Sequence, residues 1–131
     1  MVIPNSIAEK IIAHAKHASP IEACGYLAGT GDTVSEIYPM TNLDQSTEHF
    51  SFDPKEQFKA VKDARANGLT LIACYHSHPE TPARPSEEDI KLAVDPNIVY
   101  IIVSLAGASP DIKSFKIKNT VVEKEPLVID V

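Results

Sequence analysis

Leu69-Thr70-Leu71-Ile72-Ala73-Cys74-Tyr75-His76-Ser77-His78-Pro79, continued by Glu80-Thr81-Pro82-Ala83-Arg84-Pro85 and Ser86-Glu87-Glu88-Asp89, reads as a buried strand, a proline-rich loop and the capped start of a helix. The apolar run begins after the turn signal Asn67-Gly68, as a strand covered on both faces would. Residues i and i+2 of a strand share a face, so His76 and His78 project together from its end. Asp89 adds a carboxylate from the first helical turn beyond the loop. A lone His-x-His is commonly a pair of satisfied polar residues, and Ser86-Glu87-Glu88-Asp89 is also an ordinary helix start with Ser86 as N-cap. The two meanings of that string are compatible, because a capped first turn fixes where Asp89 points. Two imidazoles and one carboxylate within fourteen residues make His76, His78 and Asp89 candidate metal ligands. Three N/O ligands leave a fourth tetrahedral position for water, which distinguishes a catalytic zinc site from a closed structural one. The same ligand set also suits iron or manganese.

Working outward, 131 residues are expected to form one domain, spanning 1–131, large enough for a single core. Hydrophobic residues make up 44% and charged residues 23%, an ordinary globular balance. The formal charge of −6 argues against a nucleic-acid partner, which calls for a basic face. No signal peptide and no membrane span are expected. Two cysteines, Cys24 and Cys74, are too few for a disulfide scaffold, and a reducing cytoplasm is the expected location.

In chain order, residues 4–18 are expected to be helical, capped by Asn5 or Ser6, with Ile7, Ile11, Ala15 and Ala18 on one face and His14 and His17 facing solvent. Ile21 to Gly29 reads as an apolar strand with one acid, Glu22, at its start. Thr30-Gly31-Asp32 turns into a second strand, Val34 to Met40. A polar loop, Thr41 to Thr47, leads to a short extended piece, His49 to Phe52. Asp53-Pro54 opens a helix in a favoured way, Asn67-Gly68 stops it, and Phe58, Val61 and Ala64 mark its expected buried side. The helix from Ser86 carries Ile90, Leu92 and Ala93 and ends before Asp95-Pro96. Ile98 to Leu105 reads as a central strand, Ile112 to Ile117 as a half-exposed one, and Val121 to Val131 as a final edge segment containing Pro126. Strands mixed with three helices predict a layered α/β domain with a mixed sheet.

An upstream Glu, then His-x-His-Pro, seven residues to a Ser and an Asp three further on, here Glu22, His76, His78, Ser86 and Asp89, resembles the JAMM (MPN-plus) zinc metalloprotease family. Asn42 and Phe50-Ser51-Phe52-Asp53-Pro54 also look like that family's middle section. The resemblance implies a cytidine-deaminase-like three-layer α/β/α fold with a mixed β-sheet. It further implies hydrolysis of peptide or isopeptide bonds after a ubiquitin-like C-terminus, with His76, His78 and Asp89 as Zn2+ ligands and Glu22 as general base. The chain lacks the long insertions of eukaryotic deubiquitinases of this family. It is similar instead to short bacterial and archaeal members that act on sulfur carrier proteins ending in Gly-Gly, of the ThiS and MoaD type.

Elementary chemistry agrees with that division of labour. Zinc acidifies a bound water toward a pKa of ~7, and a carboxylate not spent on the metal must take the proton and pass it to the leaving amine. Glu22 is the free acid for that task, although an acid at a strand start is often just an exposed entry residue. Ser86 can donate a hydrogen bond to the oxyanion, where one donor is worth ~3 kcal/mol. The competing class is a non-catalytic MPN-type protein-interaction module, which loss of the metal triad would mark. A zinc deaminase is the third, but the Pro-Cys-x-x-Cys pair it needs is absent. Cys24 and Cys74 each sit two residues from a site residue, which offers a redox-controlled site as an alternative to two small buried hydrophobes.

Overall fold

The computed structural model describes residues 1–130. The chain opens with β1 (Val2–Pro4) and α1 (Asn5–Ala18), then forms the hairpin β2 (Cys24–Thr30) and β3 (Thr33–Met40). After a long loop come α2 (Pro54–Ala66), β4 (Thr70–His78) and α3 (Glu87–Leu92). β5 (Val99–Ser104), β6 (Asp111–Lys118), β7 (Val121–Lys124) and β8 (Val128–Asp130) complete it. One mixed sheet runs in the order β7-β6-β5-β4-β2-β3-β1-β8.

That order forces curvature. Strands β7 and β8 lie at opposite edges of the sheet yet are joined by three residues, Glu125, Pro126 and Leu127. A flat eight-stranded sheet would separate its edges by roughly 33 Å at ~4.8 Å per strand. The connection can span only about 14 Å. The sheet therefore curls, and Ser114 Oγ, donating to Glu125 O at 2.7 Å, and the Met1 ammonium, donating to Pro126 O at 2.8 Å, tie the connection to both sides. The expected single terminal edge segment is thus two strands on two edges, broken at Pro126, and its last residue, Val131, lies outside the described residues.

The curl wraps α1. Ile7, Ile11 and Ala15 pack with Ile3, Leu27, Tyr75, Ile101 and Val103, so α1 and strands β1, β2, β4 and β5 share one core. On the opposite face α2 covers Cys24 and Met40, and α3 covers Ile102 and Phe115 with Ile90. This is the expected α/β/α layering.

Several local expectations change. Helix α1 has no side-chain cap, because the chain enters it from β1 through Pro4 and not from a free turn. Helix α2 does not bury Phe58 and Val61, which are 67% and 37% exposed; it lies on the sheet through Ala60 and Ala64. Small side chains let the helix approach the sheet closely, and the Lys62 ammonium sits 5.6 Å from the outward Phe58 ring. Leu92 likewise faces out, because α3 turns Ile90 inward. His14 is not a solvent-facing residue. Its Nδ1 lies 2.7 Å from the hydroxyl of the fully buried Tyr75. Burial, helped by the nearby His17 charge, pulls the His14 pKa below its ordinary value.

Tyr75 reaches α1 by crossing its cross-strand partner Gly25. A Cβ at Gly25 would collide with the Tyr75 ring and stand 2.6 Å from the Tyr38 carbonyl oxygen, which is backbone and cannot swing away. Gly25→Ala is therefore expected to destabilise the fold by about 1–3 kcal/mol, the usual cost of overpacking. Urea unfolding of the two proteins checks this, and an unchanged midpoint would contradict it.

Candidate metal centre

Strand β4 is buried through its C-terminal half, and its alternation sends His76 and His78 to the α2/α3 face. Ser77 points the other way and is fully buried. Its Oγ accepts the Ala23 N–H at 2.7 Å, while Ala23 O accepts the Ser77 N–H at 2.9 Å. This clamp continues the β2–β4 register, in which Cys24 faces His76, and sets Glu22 beside His78. Sequence reasoning passed over Ser77, although a serine between two histidines in a buried strand was a visible signal.

Asp89 arrives from α3. Ser86 Oγ accepts the Asp89 N–H at 3.0 Å, and Asp89 Oδ2 accepts the Ser86 N–H at 2.9 Å, a reciprocal capping box. The same Oδ2 lies 3.1 Å from His76 Nε2 and 3.1 Å from His78 Nε2, and the two ring nitrogens are 3.1 Å apart. The structure brings His76, His78 and Asp89 into one triangle. Ser86 stands at its edge with its hydroxyl oxygen engaged by the cap.

The donor set fits a cation. His78 Nδ1 is 2.9 Å from Pro82 O, a pure acceptor, so Nδ1 carries the hydrogen and Nε2 presents a lone pair to the triangle. With their lone pairs turned inward, two imidazole nitrogens and a carboxylate oxygen this close need a proton or a metal cation between them. Ligand atoms around tetrahedral zinc, at ~2.0–2.1 Å from the metal, are separated by about 3.3 Å, close to the triangle's edges. Burial works to raise the Asp89 carboxyl, but the two imidazoles and the Ser86 N–H outweigh it and hold Asp89 well below the usual carboxylate range. Burial works to lower His78, and Asp89 with the Pro82 carbonyl outweighs it, lifting the imidazole above its ordinary value. Phe50 stacks on His76 with ring centroids 4.7 Å apart and closes one side of the site.

Glu22 lies just before β2 and is buried, only 3% exposed, so it is not an exposed entry residue. Its backbone is held on both sides: its N–H donates to Ser46 O at 2.9 Å, and its carbonyl accepts from Asn42 Nδ2 at 3.0 Å. Asn42 also donates to His49 O and accepts the Asp44 and Ser51 N–H groups, so one side chain ties the long loop to Glu22. The carboxyl itself is free. Among the described residues Glu22 Oε1 is a buried oxygen without a hydrogen-bond partner. Burial pushes its pKa up to about 8; His78 pulls it down, and Asp89, Glu88 and Glu48 push it further up.

The cysteines take the plainer of their two roles. Cys24 faces His76 and Tyr26 faces Cys74, so the two thiols are diagonal neighbours, about 7–8 Å apart at Cα and beyond disulfide reach without backbone movement. Burial pushes both thiols up to about 12, far from reactive thiolates.

The Glu22 carboxyl has a consequence for stability. Folded protein keeps this proton up to about pH 8, whereas the unfolded chain releases it near 4.5. The folded state binds more protons between those values, so chelator-treated protein loses stability as pH rises through that window. Glu22→Gln is expected to remove this component. Melting temperatures in chelator should converge near pH 5 and favour the variant near pH 8; parallel curves would contradict the assignment.

Comparison with known proteins bears on the same site. The family described as prokaryotic homologs of the JAB domain matches residues 4–118. The CysO-cysteine peptidase of Mycobacterium tuberculosis is 34% identical over 130 residues, covering 97% of this chain and 89% of that protein. The desampylase of Haloferax volcanii is 33% identical over 106 residues, 76% of each chain. A solved structure from Desulfitobacterium hafniense, 48% identical, covers 99% of this chain and 93% of its own with a TM-score of 0.91. A JAB1/MPN domain protein of Archaeoglobus fulgidus, 24% identical over the whole of both chains, shares the fold at a TM-score of 0.69. With a family match over most of its length and peptidase relatives across the same span, the chain belongs to the prokaryotic JAB-domain family and is a JAMM/MPN-type hydrolase.

Proposed function

We propose that residues 1–131 form a single JAMM/MPN metallopeptidase domain that hydrolyses the bond following the Gly-Gly C-terminus of a ubiquitin-like or sulfur carrier protein, of the ThiS or MoaD type. The observation that carries this reading is the pairing of three convergent lone-pair atoms with a buried, unpartnered carboxyl beside them. Peptidase relatives named for CysO-cysteine and for desampylation support the substrate class. His76, His78 and Asp89 would hold Zn2+. Bound there, zinc supplies Lewis acidity that polarises a carbonyl and acidifies a water.

The protein's own groups do the rest. Glu22 ionises more readily beside positive charge at the triad, which offsets the burial that raises it. Its free Oε1 then takes a proton from the attacking water and delivers it to the leaving amine as the C–N bond breaks. Pro82 O keeps His78 in the tautomer that presents Nε2. Ser86 keeps its cap through the oxygen, and its hydroxyl hydrogen, which donates to no described residue, is available to the developing oxyanion. Both cysteines are free, in keeping with a reducing compartment, and we assign the enzyme to the cytoplasm.

Wild type and Glu22→Gln, each loaded with zinc, are to be incubated with a sulfur carrier protein extended past its Gly-Gly end. Equal zinc content with cleavage reduced about 10²- to 10⁴-fold in the variant is expected, the usual range for loss of a general base. Undiminished cleavage by Glu22→Gln would remove that role, and failure of zinc-loaded wild type to cut any such tail would overturn the substrate. Ser86→Ala is expected to lose about 1 kcal/mol of stability with its cap and to cut turnover about 10²-fold or more. A loss of stability alone, measured by denaturation beside the same assay, would leave Ser86 as a cap only.

A further inference from the structure

Continuous with the metal triangle, on the α2/α3 face, lies a cavity of about 450 Å³, most of whose lining has no part in the reaction described above. It falls within the ~300–1,000 Å³ range of small-molecule sites. Its floor is the sheet: Leu71 and Cys74 from β4, Tyr100 and Ile102 from β5. One wall is Phe50 and Phe52, the second stacked on Tyr26 at 4.7 Å and the first on His76. The other wall is the end of α3 and the turn after it, Leu92 to Asp95. Because His76 and Asp89 also line it, the cavity opens directly onto the candidate metal site.

Its interior is mostly apolar for a structural reason. Several polar groups in its walls satisfy one another: Gln57 Nε2 donates to the Tyr26 hydroxyl, and the Tyr100 hydroxyl donates to Asp95 O while accepting the Asp95 N–H. No lysine or arginine lines it, whereas Glu88 and Asp95 do. At its lip Leu92 and Val94 are 59% and 86% exposed, apolar surface that a bound side chain would cover.

We propose that this cavity receives the side chain of the residue on the leaving side of the scissile bond, and that it selects for a large apolar side chain there. The inference deepens the substrate reading above and rests on it. Two glycines on the acyl side carry no side chain, so the side chain nearest a cavity beside the reacting carbonyl is the one on the amine side. An aromatic or aliphatic group matches the lining, and an acidic one is set against Glu88 and Asp95, which no lysine or arginine among the lining residues offsets. The enzyme is thereby selective for the residue after the Gly-Gly tail as well as for the tail itself.

The test is a series of a single sulfur carrier protein ending in Gly-Gly-X, with X as Phe, Leu, Ala or Asp, cleaved by zinc-loaded enzyme. Values of kcat/KM for Phe and Leu are expected to exceed those for Ala and Asp by about tenfold or more, the scale of hydrophobic-pocket discrimination. Cys74→Leu fills the floor and should collapse the Phe-to-Ala ratio toward one. Leu92→Lys, at an exposed position that folding tolerates, should abolish the disadvantage of Asp, and it carries the test if Cys74→Leu fails to fold. Equal rates across X in wild type, or ratios unmoved in the folded variants, would overturn the inference and leave the tail-cleaving reading intact. Cleavage of no member of the series by zinc-loaded wild type would overturn both.

Discussion

Two imidazole nitrogens and a carboxylate oxygen are held 3.1 Å apart in a nearly dry site, an arrangement that needs a proton or a cation between its members. Each donor is fixed by an interaction that does not involve the other two. The pleat of β4 aims both imidazoles, and Pro82 O locks His78 by its far nitrogen. The capping box locks Asp89 through Ser86. Phe50 presses on the face of His76. Such outer partners are what turn a set of candidate ligands into a preorganised centre.

Glu22 depends on the same scaffold by a longer route. Ser77 grips Ala23 on the face of β4 away from the histidines, so the strand that carries the two histidines also sets the position of the acid. Asn42 brings the loop between β3 and α2 over the Glu22 backbone, and burial then raises the carboxyl. A buried acid without a partner costs stability. It is tolerable at one position in a domain whose curled sheet and α1 form an extensive core. That cost is the usual mark of a site organised for chemistry over stability.

Much of this was legible in local pattern. Alternation in Thr70 to His78 is enough to put His76 and His78 on one face, and the serine and acid spacing from Ser86 to Asp89 states both the cap and the direction of the carboxylate. The remainder depends on contacts between distant segments. Nothing near Glu22 announces its burial, because the residues that hold its backbone in place, Asn42 and Ser46, lie some twenty positions away. Helix α2 has a plausible apolar stripe in Phe58 and Val61, yet close packing favoured the alanines. His14 looked like a surface residue because Tyr75, its partner, is 61 positions away. The division of the final segment between two edges comes from the curl of the whole sheet, which no window of sequence contains.

The central claim is that His76, His78 and Asp89 form a zinc centre with an open position, and X-ray absorption at the zinc edge tests it most directly. One zinc per chain is predicted, bound by two imidazole nitrogens and by oxygen ligands at about 2.0–2.2 Å with no sulfur, and lost in His78→Ala. Zinc bound through sulfur, or retained by His78→Ala at full stoichiometry, would contradict the account.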